Sequence, residues 1–321
     1  MQEPKPADGA SPLLEYHPTP AKANGKHVVL IAGDEEYRSE EALPMLGRIL
    51  ARHHGFRCTV LFSLDPESGA IDPMNQTNIP GTQVLDEADL MVMYLRFREL
   101  PDAQMEPIVR YVEAGKPIVG IRTATHAFAY SRDKSNAFSA YTWRNDKWPG
   151  GFGKQILGET WVAHHGGHGS ESTRGVREAG QEGHPLLRGY VDVWGPTDVY
   201  AVRDLPADAT VVLRGRVLAG MGPDAAPVAG KKNEPMMPLV WVRETPLADE
   251  KTRRVVTSTI GASTDFASEG LRRVIVNGCF WALAMEVPER ADVRIVGSYA
   301  PRPFGFGGFQ KGVKPSDLAL R

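Results

Sequence analysis

The 321-residue chain has little cysteine, only Cys58 and Cys279, which lie far apart and form no C-x-x-C pair. Each sits in an apolar run, FRCTVLF and VNGCFWAL, so buried thiols are expected rather than a disulfide framework or a cysteine-ligated metal. Long apolar runs are also missing. No stretch approaches the roughly 20 residues that a membrane helix requires. Nor does charge of one sign accumulate: 37 Lys and Arg against 39 Asp and Glu leave a formal charge of −2. That balance offers no electrostatic footprint for a nucleic acid or an anionic membrane. Segment 1–25, MQEPKPADGASPLLEYHPTPAKANG, lacks the apolar centre of a signal peptide. Its Pro, Ala and Gly content is that of the start of a mature exported protein, so a periplasmic or secreted location is favoured over a cytoplasmic one.

What is present is a soluble globular composition, 42% hydrophobic and 24% charged. The length suffices for one elaborated domain. After an extended arm over 1–25, HVVLIAG (27–33) is a continuous β-rich apolar run ending in Gly, the pattern of a strand buried on both faces. FRCTVLFS (56–63), LMVMYLRF (90–97) and KPIVGIRT (116–123) repeat that character. Between them, Leu43, Leu46 and Leu50 have helical spacing, with Ser39 as the expected N-cap and Gly55 as the stop. A second helix is expected over 101–115. Further strands are read at TVVLRGRVL, LVWVRE and RVVTSTIG, and a long helix over 268–285 with Ser268 as N-cap. This alternation predicts an α/β domain with a doubly wound, mostly parallel, flavodoxin-like sheet. A C-terminal extension over 288–321 follows, rich in Gly, Pro and Phe.

In such a sheet, ligands sit beyond the carboxyl ends of the strands. The residues just past the first strand are Asp34, Glu35, Glu36, Tyr37 and Arg38. The third strand delivers Arg96, Arg98 and Glu99, and the fourth delivers Arg122, Thr123, Thr125 and His126. Acids and guanidinium groups therefore converge, for ion pairing, ligand contact or both. The turn GIRTATHAF stands where an α/β enzyme would carry a Ser or Cys nucleophile, but Arg122 fills that position. Covalent acyl chemistry is not expected.

The stretch WVAHHGGHGSEST (161–173) puts His164, His165 and His168 in a glycine-rich loop. Neutral imidazoles suit a divalent transition metal such as zinc, and three protein ligands with an open position make a catalytic site. H-H-x-x-H is not the helical zinc pattern, so direct proton transfer and a purely structural loop remain open beside a metal site. Glu171, Glu35 and Glu36 are candidate carboxylates to complete a shell. Tyr141, Trp143, Trp148 and Trp161 lie close by in sequence. Their faces suit a sugar ring, or they pack beneath a long excursion poor in aliphatic residues.

The stretches AGDEEYRSEEALP, GIRTATHAF and HHGGHGS resemble the ThuA-like, trehalose-utilisation family, over roughly residues 26–287. The resemblance implies the fold of class I glutamine amidotransferases and a role in carbohydrate metabolism, with oxidised (keto) disaccharides as the substrate class it suggests. In amidotransferases the elbow carries Cys, and in ThuA-like proteins commonly His; here it is Arg122. Ser263, in TIGASTDF, stands where relatives often carry His. Glutaminase activity is therefore not expected. The reading that results is a small-molecule, sugar-type site worked by acid–base or metal-assisted chemistry. In it His168, His165 and Glu35 are catalytic, and Arg96, Arg122, Thr123, His126, Tyr37, Trp143 and Trp161 contact substrate. His164, His165 and His168 would hold zinc or manganese if a metal binds. A non-catalytic binding or assembly protein on a degenerate amidotransferase scaffold is the rival. Close carboxylate–histidine geometry would favour the enzyme. The ordering of a Gly/Pro/Phe tail further suggests a homo-oligomer.

Overall fold

In a computed structural model, which describes residues 11–248 and 250–320, every apolar run read as a strand forms one. Among the described residues ten strands make one sheet: β1 (Leu14–Tyr16), β2 (His27–Gly33), β3 (Arg57–Phe62), β4 (Leu90–Leu95), β5 (Ile118–Ile121), β6 (Ser172–Arg177), β7 (Val193–Gly195), β8 (Ala209–Leu218), β9 (Met237–Pro246) and β10 (Thr252–Ser258). Their spatial order is β1-β3-β2-β4-β5-β10-β9-β8-β6-β7. The strands β3-β2-β4-β5-β10 pair in parallel. Numbered among themselves they read 2-1-3-4-5, the flavodoxin-like order.

The parallel character stops at β10. From there β9, β8, β6 and β7 pair antiparallel, and β1 joins the other edge antiparallel to β3. The reason is connection length. Residues 247–251 link β9 to β10, and so short a link makes a hairpin, whereas a parallel pair needs a crossover of a dozen or more residues. The expected mostly parallel sheet is therefore a five-stranded parallel centre with a wide antiparallel wing.

Alternation along each central strand divides the core in two. Val28, Leu30 and Ala32 of β2 face one layer, with helices α1 (Ser39–His54) and α3 (Glu269–Ala282). Val29 and Ile31 face the other, with helix α2 (Asp102–Glu113) and Phe128, Phe152 and Leu157 from the excursion after β5. Leu43, Leu46 and Leu50 of α1 are fully buried, each contributing about 1.5–3 kcal/mol. Gly55 ends α1 at φ 81°, and a Cβ there would lie 1.9 Å from the Lys22 carbonyl oxygen, so only glycine fits.

Two terminal expectations change. Ser39 is not the cap of α1. It is the first helical residue, and its hydroxyl accepts the Asp34 N–H at 3.0 Å, while Arg38 holds the cap position at φ 62°. Ser268 does cap α3, accepting from the Leu271 N–H. Of the expected N-terminal arm, residues 1–10 lie outside the described residues, and the rest supplies β1. Beyond α3 the chain runs over its own surface: Tyr16 donates to the Leu318 carbonyl at 2.8 Å, and the Ile71 N–H to that of Val313 at 2.8 Å.

Glu40, in the first turn of α1, is buried, and among the described residues neither carboxyl oxygen has a hydrogen-bond partner. Burial pushes its carboxyl up to about 8, and the nearby Arg38 charge opposes that rise only in part. The folded state thus binds the extra proton between the ordinary carboxylate range and about pH 8, and stability falls as pH rises through that window. Glu40→Gln should match the wild type in thermal melts at pH 4.5. At pH 8 it should be more stable by a few kcal/mol, since a tenfold change in proton affinity is worth about 1.4 kcal/mol.

Candidate functional site

The chain leaves β2 in one direction for β3, and β4 takes the opposite side, so a crevice opens past their carboxyl ends. The loop after β2 is wound around Asp34, whose carboxylate accepts the N–H of Glu36 at 2.8 Å, the N–H of Tyr37 at 2.5 Å and the Thr123 hydroxyl at 2.6 Å. Thr123 belongs to the turn after β5. One buried carboxylate therefore ties two strand ends together.

Arg122 directly follows β5 at φ 44°, a left-handed conformation uncommon for a residue with a side chain. The sharp elbow is thus kept with a guanidinium in it. The side chain is fully buried. It donates to Thr197 Oγ1 at 3.1 Å, to the carbonyls of Asp198 at 3.0 Å and Thr259 at 2.9 Å, and to Asp198 Oδ1 at 3.2 Å. Tyr37 and Tyr200 flank it, with ring centroids 3.9 and 4.6 Å from Cζ.

The histidine loop lies antiparallel beside residues 199–201. The His165 N–H donates to the Val199 carbonyl at 3.0 Å, and the Ala201 N–H to that of Ala163 at 2.9 Å. Gly166 allows the approach, because a Cβ there would sit 2.9 Å from that of Asp198. This pairing sets His164 Nδ1 2.7 Å from Asp198 Oδ2, and His168 Nδ1 3.3 Å from Asp198 Oδ1. His168 Nε2 is 3.2 Å from Glu36 Oε1, and the two imidazole centroids are 4.6 Å apart. Asp198 is itself fixed from behind. Asp265, fully buried, accepts the N–H of Gly261 at 2.8 Å and of Ala262 at 2.8 Å and the hydroxyl of Thr197 at 2.5 Å.

These contacts set the protonation states. Burial alone would push Asp198 up, but hydrogen bonds from His164 and His168 and the Arg122 charge hold its carboxyl well below the usual carboxylate range. The Asp198 hydrogen bond, acting against burial, raises His168 above the ordinary 6.5, and the Asp198 and Glu36 charges add to it. Held between two carboxylates, His168 thus has its charged form favoured. His164 uses only Nδ1, and among the described residues its Nε2 has no hydrogen-bond partner. An imidazole oriented through one nitrogen by a buried carboxylate, with the other nitrogen unengaged, is arranged as a base.

The residues singled out in the sequence separate into groups. His164 and His168 meet, but His165 does not join them: its Nε2 lies 2.7 Å from the Lys232 carbonyl oxygen. The expected His164–His165–His168 metal set is therefore replaced by His164, His168 and Asp198, whose ligand atoms lie within 4.8 Å of one another. Glu171 is also drawn elsewhere, to Lys232 at 2.6 Å and the Gly167 N–H. Glu35 is held by Arg96 at 2.5 Å and by Arg98, so it positions those guanidinium groups. Burial raises its pKa against the pull of Arg98. Arg96 also lies 3.5 Å from Glu36, on the rim of the cluster. His126 is buried against Phe97, Trp143, Trp161 and Tyr200, and burial, then Arg96, hold it well below the ordinary 6.5, neutral and packed. Trp161 also reaches the His164 ring, 5.7 Å between centroids, whereas Tyr141 and Trp148 pack against the second core layer. Asp198, Tyr200, Asp265 and Phe304 were not singled out. Only WGPTDVYAV, an acid two residues before an aromatic in a short β-like run, carried a signal for the first two.

Arg122→Met should cost about 3–5 kcal/mol in chemical denaturation, because it strands the Asp198 carboxylate in the interior. In metal-free protein the His168 ring protons should titrate above pH 6.5 by NMR, and Asp198→Asn should lower that midpoint. A raised basic group adds stability below its unfolded pKa that disappears as pH rises through its folded one. The advantage of wild type over His168→Gln in melts should thus be full below pH 6.5 and fade above it.

No curated protein matches this chain. Among solved structures, it is similar to a putative ThuA-like protein from Bacteroides uniformis ATCC 8492, at 16% identity and a TM-score of 0.51, over 83% of this chain and 95% of that one. A putative ThuA-like protein from Parabacteroides merdae ATCC 43184 aligns at 13% identity and a TM-score of 0.50, over 92% and 99%. Both likenesses show the fold. The family model described as ThuA, trehalose utilisation, matches residues 28–282, and with that match over most of its length the chain belongs to the ThuA family.

Proposed function

We propose that the site takes a small, sugar-derived carbonyl compound and works on it by acid–base chemistry, with His164 as the base. The observation that carries this reading is the 2.7 Å contact of His164 Nδ1 with buried Asp198, which leaves Nε2 unengaged on a side chain about one-third exposed. His168, charged between Asp198 and Glu36, is the acid. A proton on the carbon beside a carbonyl passes to His164 Nε2, and the carbonyl oxygen receives one from His168. Isomerisation and elimination of an oxidised sugar both begin with this step. Arg96 at the rim orients ligand oxygens, and Arg122, wholly buried, keeps Asp198 ionised. The family's description as trehalose utilisation supports a sugar-type ligand.

A second reading rests on the same cluster. Two imidazole nitrogens and one carboxylate oxygen are a donor set for zinc or manganese. Glu36 on the far nitrogen of His168 is the outer partner that a metal-bound histidine commonly has. A bound ion would polarise the substrate carbonyl, and the imidazolium proton would leave as it bound.

Deuterium exchange into keto-trehalose in D2O tests the first reading. His164→Ala should slow exchange about 10²-fold or more. Wild-type exchange in that variant would sink the assignment, and no exchange by wild type would leave a binding protein without turnover. Elemental analysis and zinc or manganese titration test the second. Uptake should vanish in His164→Ala, His168→Ala and Asp198→Asn and persist in His165→Ala. Equal loss in His165→Ala would overturn this donor set, and no uptake by wild type would remove the metal.

A further inference from the structure

The family match ends at residue 282, yet the chain beyond it returns to the site. Tyr299 donates to the Ser263 carbonyl at 2.6 Å, the Ser263 hydroxyl to the Arg302 carbonyl at 3.2 Å, and the Arg302 N–H to Glu41 at 2.9 Å. Gly305 is then pinned to the loop after β2. Its N–H donates to the Glu36 carbonyl at 2.7 Å, and the Arg38 guanidinium donates to the Gly305 carbonyl. Glu36 is the residue whose side chain meets His168, so this anchor registers the segment against the cluster.

The residues on either side of Gly305 use that register differently. Phe304 packs 5.5 Å from the His168 ring and 5.6 Å from Tyr37, centroid to centroid. Phe306 lies 5.0 Å from Cζ of Arg96, whose other neighbour is Phe97 at 4.6 Å. It is nevertheless 60% exposed, the most exposed large apolar side chain among the described residues that are buried or exposed enough to compare. Gly305 and Gly307 have φ of 136° and 70°, which bends the chain on both sides of it. Gly308 lies so close to Arg38 Nη2 that a Cβ would come within 2.4 Å. The Gly305 anchor thus sets an aromatic ring in the open beside Arg96, the cation at the rim of the site.

We propose that segment 299–308 is a wall of this site supplied by the chain's own C-terminal region, with Phe304 covering one side of His168 and Phe306 offering its free face to the ring of the ligand. The inference rests on the small-molecule reading above. It assigns selectivity to residues that follow those the family model matches, so this wall sets which ring the site accepts.

The test uses Phe304→Ala and Phe306→Ala in the full chain, with Met74→Ala as an exposed apolar control. Phe306→Ala should melt like wild type, because surface changes of this kind scarcely alter stability. In calorimetric titrations with trehalose and keto-trehalose it should lose about tenfold in affinity, while the control loses none. Retained affinity within about twofold would overturn the proposal and leave the acid–base reading standing. If wild type binds neither sugar, the sugar reading falls, and the wall is decided without ligand. Carbethoxylation of His168 by diethyl pyrocarbonate, followed by mass spectrometry, should run several-fold faster in Phe304→Ala. An unchanged rate there would overturn the wall.

Discussion

The buried carboxylate of Asp198 is the constraint on which the site depends. It has no exposed surface, and three cationic or proton-bearing groups, Arg122, His164 and His168, converge on its two oxygens. A charge buried this deeply is tolerable only when paired and hydrogen-bonded. The pairing in turn dictates the rest. Arg122 must occupy the elbow, the histidine loop must approach closely enough to require Gly166, and Asp265 must lock Thr197 from behind. Each of these elements comes from a different part of the chain, so the carboxylate joins the parallel centre of the sheet to its antiparallel wing.

That division explains what was legible in the sequence. The parallel centre was, because strands covered on both faces must be continuously apolar, and HVVLIAG and LMVMYL admit little else. The antiparallel wing was read only where it is apolar, at β8 and β9. STRGVR of β6 is polar and partly exposed, and β7 has three residues, so neither carries a periodic signal. Strand direction was not readable at all from composition; it follows from the short β9–β10 connection, which periodicity does not weigh.

The site was half legible for a related reason. Residues immediately after a strand can be named once the strand is recognised, which is how Glu35, Arg96, Arg122 and Thr123 were found. Which histidines converge could not be. In HHGGH the backbone runs alongside residues 199–201, and alternation then turns His164 toward Asp198 while His165 meets Lys232. That outcome depends on a partner segment thirty-odd residues away, with no spacing rule to announce it. Glu35 illustrates the converse: it stands in the right place, yet two arginines hold it, and place alone did not reveal them.

The attachment of Gly305 to Glu36 has a consequence for the order in which the molecule can be completed. Translation delivers the sheet, the histidine loop and α3 before it delivers residues 299–308. The residues that bring His164, His168 and Asp198 together thus precede those that bound the cluster at Phe304 and Phe306. The side of the cluster bounded by Phe304 and Phe306 is therefore contributed by residues that follow, in chain order, all those that form the cluster itself.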